Sequence, residues 1–365
     1  MRWGVMIIGL HGASASTLVA GYLASQRTSL PFSKGSYWCT LAGGYPEAVQ
    51  HLSWGGWDYR FKSFASAVVS NGLIKSELGD EAPTTFPAVV GPSDYAVLVE
   101  GGFPTHGFLD QAVETVRQNI REFSATHRLD RVIVVNCSSP MYCGQERVGW
   151  SSVTAYALGA ITEGADWVEF TPSDSVSDEL VDKAISTGSR IAGRDGSTGQ
   201  TVLKLALRDF LWARGFSIES WYSTNLIGNR DGLVLSHPDY RNTKMRDKRI
   251  PLGGEHGNDP THSVSIEFVP QAGDNKEAWD CIHFSGWLNT PMSMRINWWG
   301  ADSFLAAPLL LDIFSGLIHA DSLGSAPGIL KEVAVFFKAP LGCDGYRFQE
   351  LYDRLEHFIA SQPGA

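Results

Sequence analysis

Val5-Met-Ile-Ile-Gly9-Leu-His11-Gly12-Ala13-Ser14-Ala15-Ser-Thr-Leu-Val-Ala-Gly-Tyr22-Leu is the stretch on which the fold turns. The apolar run reads as a buried strand, the glycines as a tight turn, and the segment from Ala13 as a helix. Strand, glycine turn and helix in that order open a dinucleotide-binding fold. A pyrophosphate would sit there on backbone N–H groups, which makes Gly9, Gly12, Ala13, Ser14 and Ala15 the candidate contacts. The pattern is G-x-x-G-x-x-A rather than G-x-G-x-x-G, and His11 stands where a small residue is usual. No acid follows at the customary distance of about 20 residues; the first carboxylate in the chain is Glu47. On spacing alone the segment is equally a nucleotide loop or a plain strand–turn–helix. Asp58 is equally the displaced ribose acid or a turn or helix cap.

Working outward, residues 28–60 are rich in Gly, Ser, Trp and Tyr and read as loop, ending in Ser53-Trp-Gly-Gly-Trp-Asp58. A helix is expected over Phe61–Ile74, and Pro83–Pro104 reads as loops with one short strand, Ala96–Val99. Then the pattern becomes regular. Leu109–Thr126 has helical periodicity, Arg131–Asn136 is a buried strand, Ser151–Thr162 a helix, Trp167–Phe170 a strand, Ser177–Ser186 a helix and Arg190–Ala192 a short strand. Such alternation means a parallel, doubly wound α/β sheet. Ligands bind beyond the carboxyl ends of its strands, where Asn136-Cys-Ser138-Ser139 and Gly193-Arg-Asp195-Gly-Ser-Thr198-Gly-Gln-Thr201 fall.

After Gly215 the character changes. Phe216–Tyr222, the alternating Ser263–Phe268, Ile282–Ser285 and Met292–Asn297 read as strands of a mostly antiparallel sheet with one wet face. From Asp302 a buried helix returns, and two more helical patterns end with Arg347–Ala360. The expected organisation is a Rossmann-like domain, 1–201 and 302–365, interrupted by an α+β insertion, 202–301.

A net charge of −10 excludes a broad nucleic-acid surface. Five scattered cysteines without C-x-x-C fit reduced thiols in a cytoplasm. No apolar run is expected to span a bilayer, since Phe304–Leu311 ends at Asp312, and the apolar run at Val5 lacks signal-peptide logic. Against this acidic background Tyr240-Arg-Asn-Thr-Lys244-Met-Arg-Asp-Lys248-Arg is strongly cationic. Lys244 and Lys248 stand four apart, so on a helical turn they share a face.

Ten short segments, in order, resemble the myo-inositol-1-phosphate synthase family. They are the Gly9/Gly12 loop with Ser16-Thr-Leu; Gly55-Gly-Trp-Asp58; Tyr156 to Gly164; Asp195 with Thr198-Gly-Gln-Thr201; and Leu226-Ile-Gly-Asn-Arg-Asp231-Gly232. The Lys244/Lys248 pair, Gly254-Glu-His256, Val269 to Lys276 (including Gly273 and Asp274), Asp302-Ser303 to Pro308, and Lys338-Ala-Pro-Leu341 complete the set. The resemblance implies tightly held, recycled NAD⁺, a homotetramer and a sugar-phosphate substrate, and it implies that the insertion, 202–301, is the catalytic and oligomerisation domain. The implied reaction oxidises C5 of a hexose 6-phosphate, removes a C6 proton, closes the ring by an aldol step and reduces the ring ketone again. It also implies that Lys244 and Asp195 relay the proton at C5, while Lys248, Lys276 and Lys338 hold the phosphate and the oxygen that becomes alkoxide. Asp302 and Ser303 would contact the nicotinamide or orient a lysine. Ser138, Ser139, Asp58, Asp195, Thr198, Asp231, Gly273 and Asp274 join the implied cofactor set.

Three departures surround the implied substrate: His11 in the loop, Arg194 in place of an acid, and Asn229-Arg230 in place of an asparagine pair. The catalytic set is retained while the sugar-reading set has shifted. Glucose 6-phosphate closing to myo-inositol 1-phosphate stands slightly ahead. Fructose 6-phosphate closing to a five-membered cyclitol phosphate follows, and a dehydrogenase that releases NADH is the reading from another class. His256 and His262, with Glu255 and Asp259, lack a firm ligand spacing, so no protein-held metal is expected.

Overall fold

A computed structural model of the chain describes residues 1–26, 32–58, 64, 67, 106–138, 152–228, 232, 260–273, 275–343 and 346–362. The opening stretch folds as read, with β1 (Trp3–Ile8) running through the glycine turn into α1 (Ala13–Ser25). After α2 (Tyr37–Ala42) come β2 (Ser53–Trp57), α3 (His106–His127), β3 (Arg131–Asn136), α4 (Ser152–Thr162), β4 (Asp166–Glu169), α5 (Asp178–Thr187) and β5 (Arg190–Gly193). With the late strand β10 (Gly328–Ile329) they form a six-stranded sheet in the order β10-β5-β4-β3-β1-β2. Every pairing in it is parallel. The strand order reverses beside β1, which opens a crevice at the carboxyl ends of β1 and β3.

Two elements inside 28–60 correct the loop reading. Ser36 caps α2 by accepting the Cys39 N–H at 2.8 Å, and Ser53-Trp-Gly-Gly-Trp is the edge strand β2. Its glycines disguised it. A Cβ on Gly55 would stand 2.9 Å from the Phe123 ring, and one on Gly56, at φ 154°, would run into the Ile7 carbonyl. Bare backbone is what lets this strand lie against β1 and α3. Most of the expected helix Phe61–Ile74, and all of the strand Ala96–Val99, lie outside the described residues.

The sheet is buried on both faces. One core gathers Val5, Ile7, Leu18, Ile133 and Val135 against Leu310, Phe314 and Leu317 of α7 (Asp302–Ser322). The other sets Val134, Trp57 and Trp167 against Val116, Tyr156 and Ile161 of α3 and α4. By length and composition α7 is apolar enough to cross a bilayer, contrary to the sequence reading, but most of it is packed inside the fold. Its Asp312 is fully buried and accepts the Ser36 hydroxyl at 2.5 Å and the Tyr37 N–H at 2.8 Å, fixing the start of α2. Among the described residues the cysteines are free.

Between β5 and α7 lie α6 (Gln200–Ala213) and a four-stranded sheet of β6 (Ser217–Ile227), β7 (Thr261–Phe268), β8 (Asn275–Ser285) and β9 (Pro291–Ala301). Its order is β7-β6-β8-β9. The β6–β7 pair is parallel and the other two are antiparallel, so the sheet is mixed. Leu211 of α6 packs with Ile218, Trp221, Ile282 and Phe284 on one face. The opposite face leaves Tyr222, Trp279 and Trp299 exposed.

Candidate active site

The first half of the site is the turn after β1. Gly9, at φ 82°, and Leu10 donate to the Trp57 carbonyl at 2.9 and 3.2 Å, and Gly12 N–H closes back on Gly9 O at 2.8 Å. Helix bonding then starts with Ser16 N–H to Gly12 O at 2.8 Å. Gly12 offers no side-chain cap and the first turn carries no acid. The N–H groups of Ala13, Ser14 and Ala15 therefore form an open anion-binding terminus. A Cβ on Gly9 would lie 3.0 Å from Ser138 Cα, so the ends of β1 and β3 close against one another. This cradle, with its acid-free helix start, fits a dinucleotide pyrophosphate.

Asp58 directly follows β2, the strand beside β1, which is where a ribose-binding acid belongs in such folds. It comes late in sequence because α2 and its flanking turns intervene. Its Oδ2 accepts the His11 N–H at 2.9 Å, and the buried His11 ring places Nδ1 4.0 Å from Oδ1. His11 is thereby tied down beside the acid.

Behind Ser138 lies a buried polar group of Asn136 and Glu169, of which sequence reading missed Glu169. Asn136 Oδ1 accepts the Ser138 N–H at 3.1 Å and its hydroxyl at 2.6 Å. Asn136 Nδ2 donates to Glu169 Oε1 at 2.8 Å. Burial pushes the Glu169 carboxyl up to about 7, against the opposing pull of hydrogen bonds from Ser175, Thr171 and Asn136.

The second half of the site grows from the loop after β5. Lys338 Nζ donates to Asp195 Oδ1 at 2.7 Å, and both side chains are buried. The backbone locks them together through Lys338 N–H to Asp195 O at 2.7 Å, Ser197 N–H to Phe336 O at 2.8 Å and Leu341 N–H to Gly193 O at 2.9 Å. Among the described residues Asp195 Oδ2 is buried without a hydrogen bond, which leaves an acceptor for a ligand proton. Asp195 was expected to work with Lys244; among the described residues its cation is Lys338. Lys244 and Lys248 lie outside the described residues, as do Ser139, Asp231 and Asp274.

Thr198, on the same loop, donates to Asp302 Oδ1 at 3.0 Å, and Lys276 Nζ reaches that oxygen at 3.2 Å. Asp302 occupies the first turn of α7, where a carboxylate is favoured by the helix dipole. Ser303 beside it is buried. Gly273 closes the turn before Lys276, its N–H bonded to Pro270 O at 3.2 Å. A Cβ on Gly228 would strike the Gly273 nitrogen and the Val269 carbonyl, so the turn between β7 and β8 packs against the end of β6. Arg194, one of the departures, is ion-paired with Asp174.

A fifth lysine was missed. Lys204 on α6 is almost wholly buried, 3.7 Å from Asp280 Oδ1 and 5.7 Å from the centre of the Trp221 ring. The Asp280 oxygens are already occupied by Gln200 Nε2 at 2.8 Å, Trp221 Nε1 at 2.8 Å and Ser223 Oγ at 2.5 Å. Burial pulls the Lys204 amine down to about 8, with the Lys276 charge adding to the effect and Asp280 opposing it. The signal was present in sequence. Thr201, Lys204, Leu205, Arg208 and Leu211 follow a helical stripe, and that stripe is the buried one.

The sequence pattern of the family described as Myo-inositol-1-phosphate synthase matches residues 199–303, the span from the start of α6 to Ser303. Inositol-3-phosphate synthase 1 of Bacteroides thetaiotaomicron is 30% identical over 393 residues, covering 93% of this chain and 90% of its own length. The chain belongs to the myo-inositol-1-phosphate synthase family.

Within this inositol-phosphate synthase family, Inositol-3-phosphate synthase 1 of Oryza sativa subsp. japonica is 26% identical, covering 86% of this chain and 73% of its own. The fold is shared with the crystal structure of inositol-3-phosphate synthase from Caenorhabditis elegans, at TM-score 0.81 and 22% identity over 100% of this chain and 86% of that one. Membership makes the chain an enzyme of the synthase's isomerase class.

Proposed function

We propose that this enzyme converts glucose 6-phosphate to myo-inositol 1-phosphate with a recycled NAD. The observation that carries the reading is the buried Asp195–Lys338 pair. It lies on the same loop as the Thr198–Asp302–Lys276 contact, at the carboxyl end of the sheet. NAD, when bound on the turn from Gly9 to Ala15 and beside Asp58, supplies a hydride acceptor and then a donor. The protein's own groups do the rest. The open Oδ2 of Asp195 takes part in the proton relay at the C5 hydroxyl. Lys338 and Lys276 stabilise oxygen as it becomes negative, which is where fixed charge accelerates an aldol closure. Lys244 and Lys248 complete the cationic set, and Thr198, Gly273, Asp302 and Ser303 border the nicotinamide end.

The domain division follows the same logic: 1–201 and 302–365 hold the dinucleotide and contribute Asp195 and Lys338, and 202–301 carries Lys244, Lys248, Lys276 and the assembly surface. Self-association is supported by the outer face of the second sheet. Tyr222, Trp279 and Trp299 are 47%, 49% and 67% exposed there, and aromatic side chains gathered on one face mark an interface.

Arg194, paired with Asp174 on the loop leading into Asp195, favours a second reading, fructose 6-phosphate closing to a five-membered cyclitol phosphate. Product identification decides. With substoichiometric NAD⁺, glucose 6-phosphate is expected to yield an inositol phosphate and no net NADH. Cyclisation of fructose 6-phosphate alone would establish the second reading, and stoichiometric NADH without a carbocycle would overturn both.

A further inference from the structure

We propose that Glu169 is a positioning residue for the dinucleotide cradle, acting through Asn136 on Ser138; this rests on the cofactor reading above. Glu169 ends β4 and Asn136 ends β3, and the two are direct register partners. Both are fully buried. Glu169 Oε1 accepts Asn136 Nδ2 at 2.8 Å, the Thr171 N–H at 3.1 Å and the Thr171 hydroxyl at 2.7 Å. Oε2 accepts the Ser175 hydroxyl at 2.5 Å. All four donors are neutral.

The consequence is directional. An asparagine amide has a donor side and an acceptor side, and either can face a neutral partner. Ionised, as Glu169 is above about pH 7, a carboxylate surrounded by donors accepts only, so it fixes Nδ2 toward Glu169 and turns Oδ1 toward Ser138. That oxygen then takes both the Ser138 N–H at 3.1 Å and the hydroxyl at 2.6 Å. Ser138 in turn backs the cradle, with its Cα 3.0 Å from a Cβ built on Gly9. The neighbouring Cys137 N–H is held by Ile8 O at 3.0 Å. A buried carboxylate without a cation is costly to keep. An apolar residue would fill the same space at less cost but would leave Asn136 Nδ2 to the Thr171 hydroxyl at 3.2 Å, a rotor that Glu169 otherwise fixes as an acceptor and that can face either side of the amide once the carboxylate is gone.

NADH binding, followed by nucleotide fluorescence, tests the relay on the whole protein. Glu169→Met is expected to raise the NADH Kd about tenfold or more, the loss of one or two well-made hydrogen bonds. Glu169→Gln is expected to stay within about threefold, because its amide oxygen keeps the three Oε1 donors and its NH₂ faces the Ser175 hydroxyl. Loss of stability alone lowers Tm without changing the affinity of the folded fraction. Unchanged NADH affinity in Glu169→Met overturns the relay and leaves the cofactor reading standing. Should that variant fail to fold, Ser138→Ala at the open end of the relay is expected to weaken NADH several-fold, and unchanged affinity there overturns it equally. If the unaltered protein binds no NADH, the cofactor reading itself fails.

Discussion

Asp195 and Lys338 stand 143 positions apart in sequence, yet Lys338 Nζ sits 2.7 Å from Asp195 Oδ1 inside the fold. Backbone bonds between 193–197 and 336–341 hold the two strands of chain side by side. The pair therefore depends on the last segment returning to the first domain after the second sheet is complete. A lysine so placed is an anchored cation and its carboxylate partner an anchored acceptor.

Lys338→Met removes the cation that faces Asp195 among the described residues. Breaking a buried pair costs about 3–5 kcal/mol, and losing a fixed oxyanion-stabilising group costs about a hundredfold or more in turnover. Both a lower Tm and a fall in kcat of that order are expected, measured by thermal unfolding and by product formation. Full turnover in the variant would remove Lys338 from the chemistry.

Asp312 provides a pH test of the core. Burial outweighs the donors from Ser36, Tyr37 and Trp38 and lifts its carboxyl from 3.8 to about 7. Between those values the folded protein binds more protons than the unfolded chain. Its contribution to stability is thus complete below about 4 and is lost as pH rises through about 7. Asp312→Asn is expected to shrink the stability difference between pH 5 and pH 7.5, read by urea denaturation. An unaltered difference would show that Asp312 does not titrate there.

Lys204 has the opposite sign. Its amine falls from 10.5 to about 8 on folding, so across that window the unfolded chain binds more protons and stability rises with pH. Lys204→Met abolishes that rise, which unfolding curves at pH 7.5 and 9.5 would reveal. The variant is also expected to lower turnover, since it changes the electrostatic surroundings of Lys276.

The exposed aromatic face makes a further prediction. Trp279→Lys combined with Trp299→Lys places charges on the outer side of the second sheet, away from its buried side. Size-exclusion chromatography with light scattering should show a smaller assembly than the unaltered protein. An unchanged mass would move the interface elsewhere.

Much of the fold was legible in the chain itself. The apolar runs at Val5, Arg131 and Trp167, spaced by helical periodicity, specify a buried parallel sheet because each strand is covered on both faces. The alternation at Ser263 marks a sheet with one open face for the same reason. Such patterns report local burial, which is a property of neighbouring residues. What the chain could not display is which distant groups meet. Gly55 and Gly56 look like loop residues until Phe123 and Ile7 close on them, and only then do they mark the edge strand β2. Asp58 enters the cradle because β2 lies beside β1, although its place in sequence gives no such spacing. Lys204 is ordinary in composition, and its amine is perturbed only because α6 lies over Trp221 and Asp280. The residue types of the site were thus written in the sequence. Which carboxylates Lys204, Lys276 and Lys338 face was decided by long-range closure of the chain, since charge pairing depends on distance and burial rather than on order along the backbone.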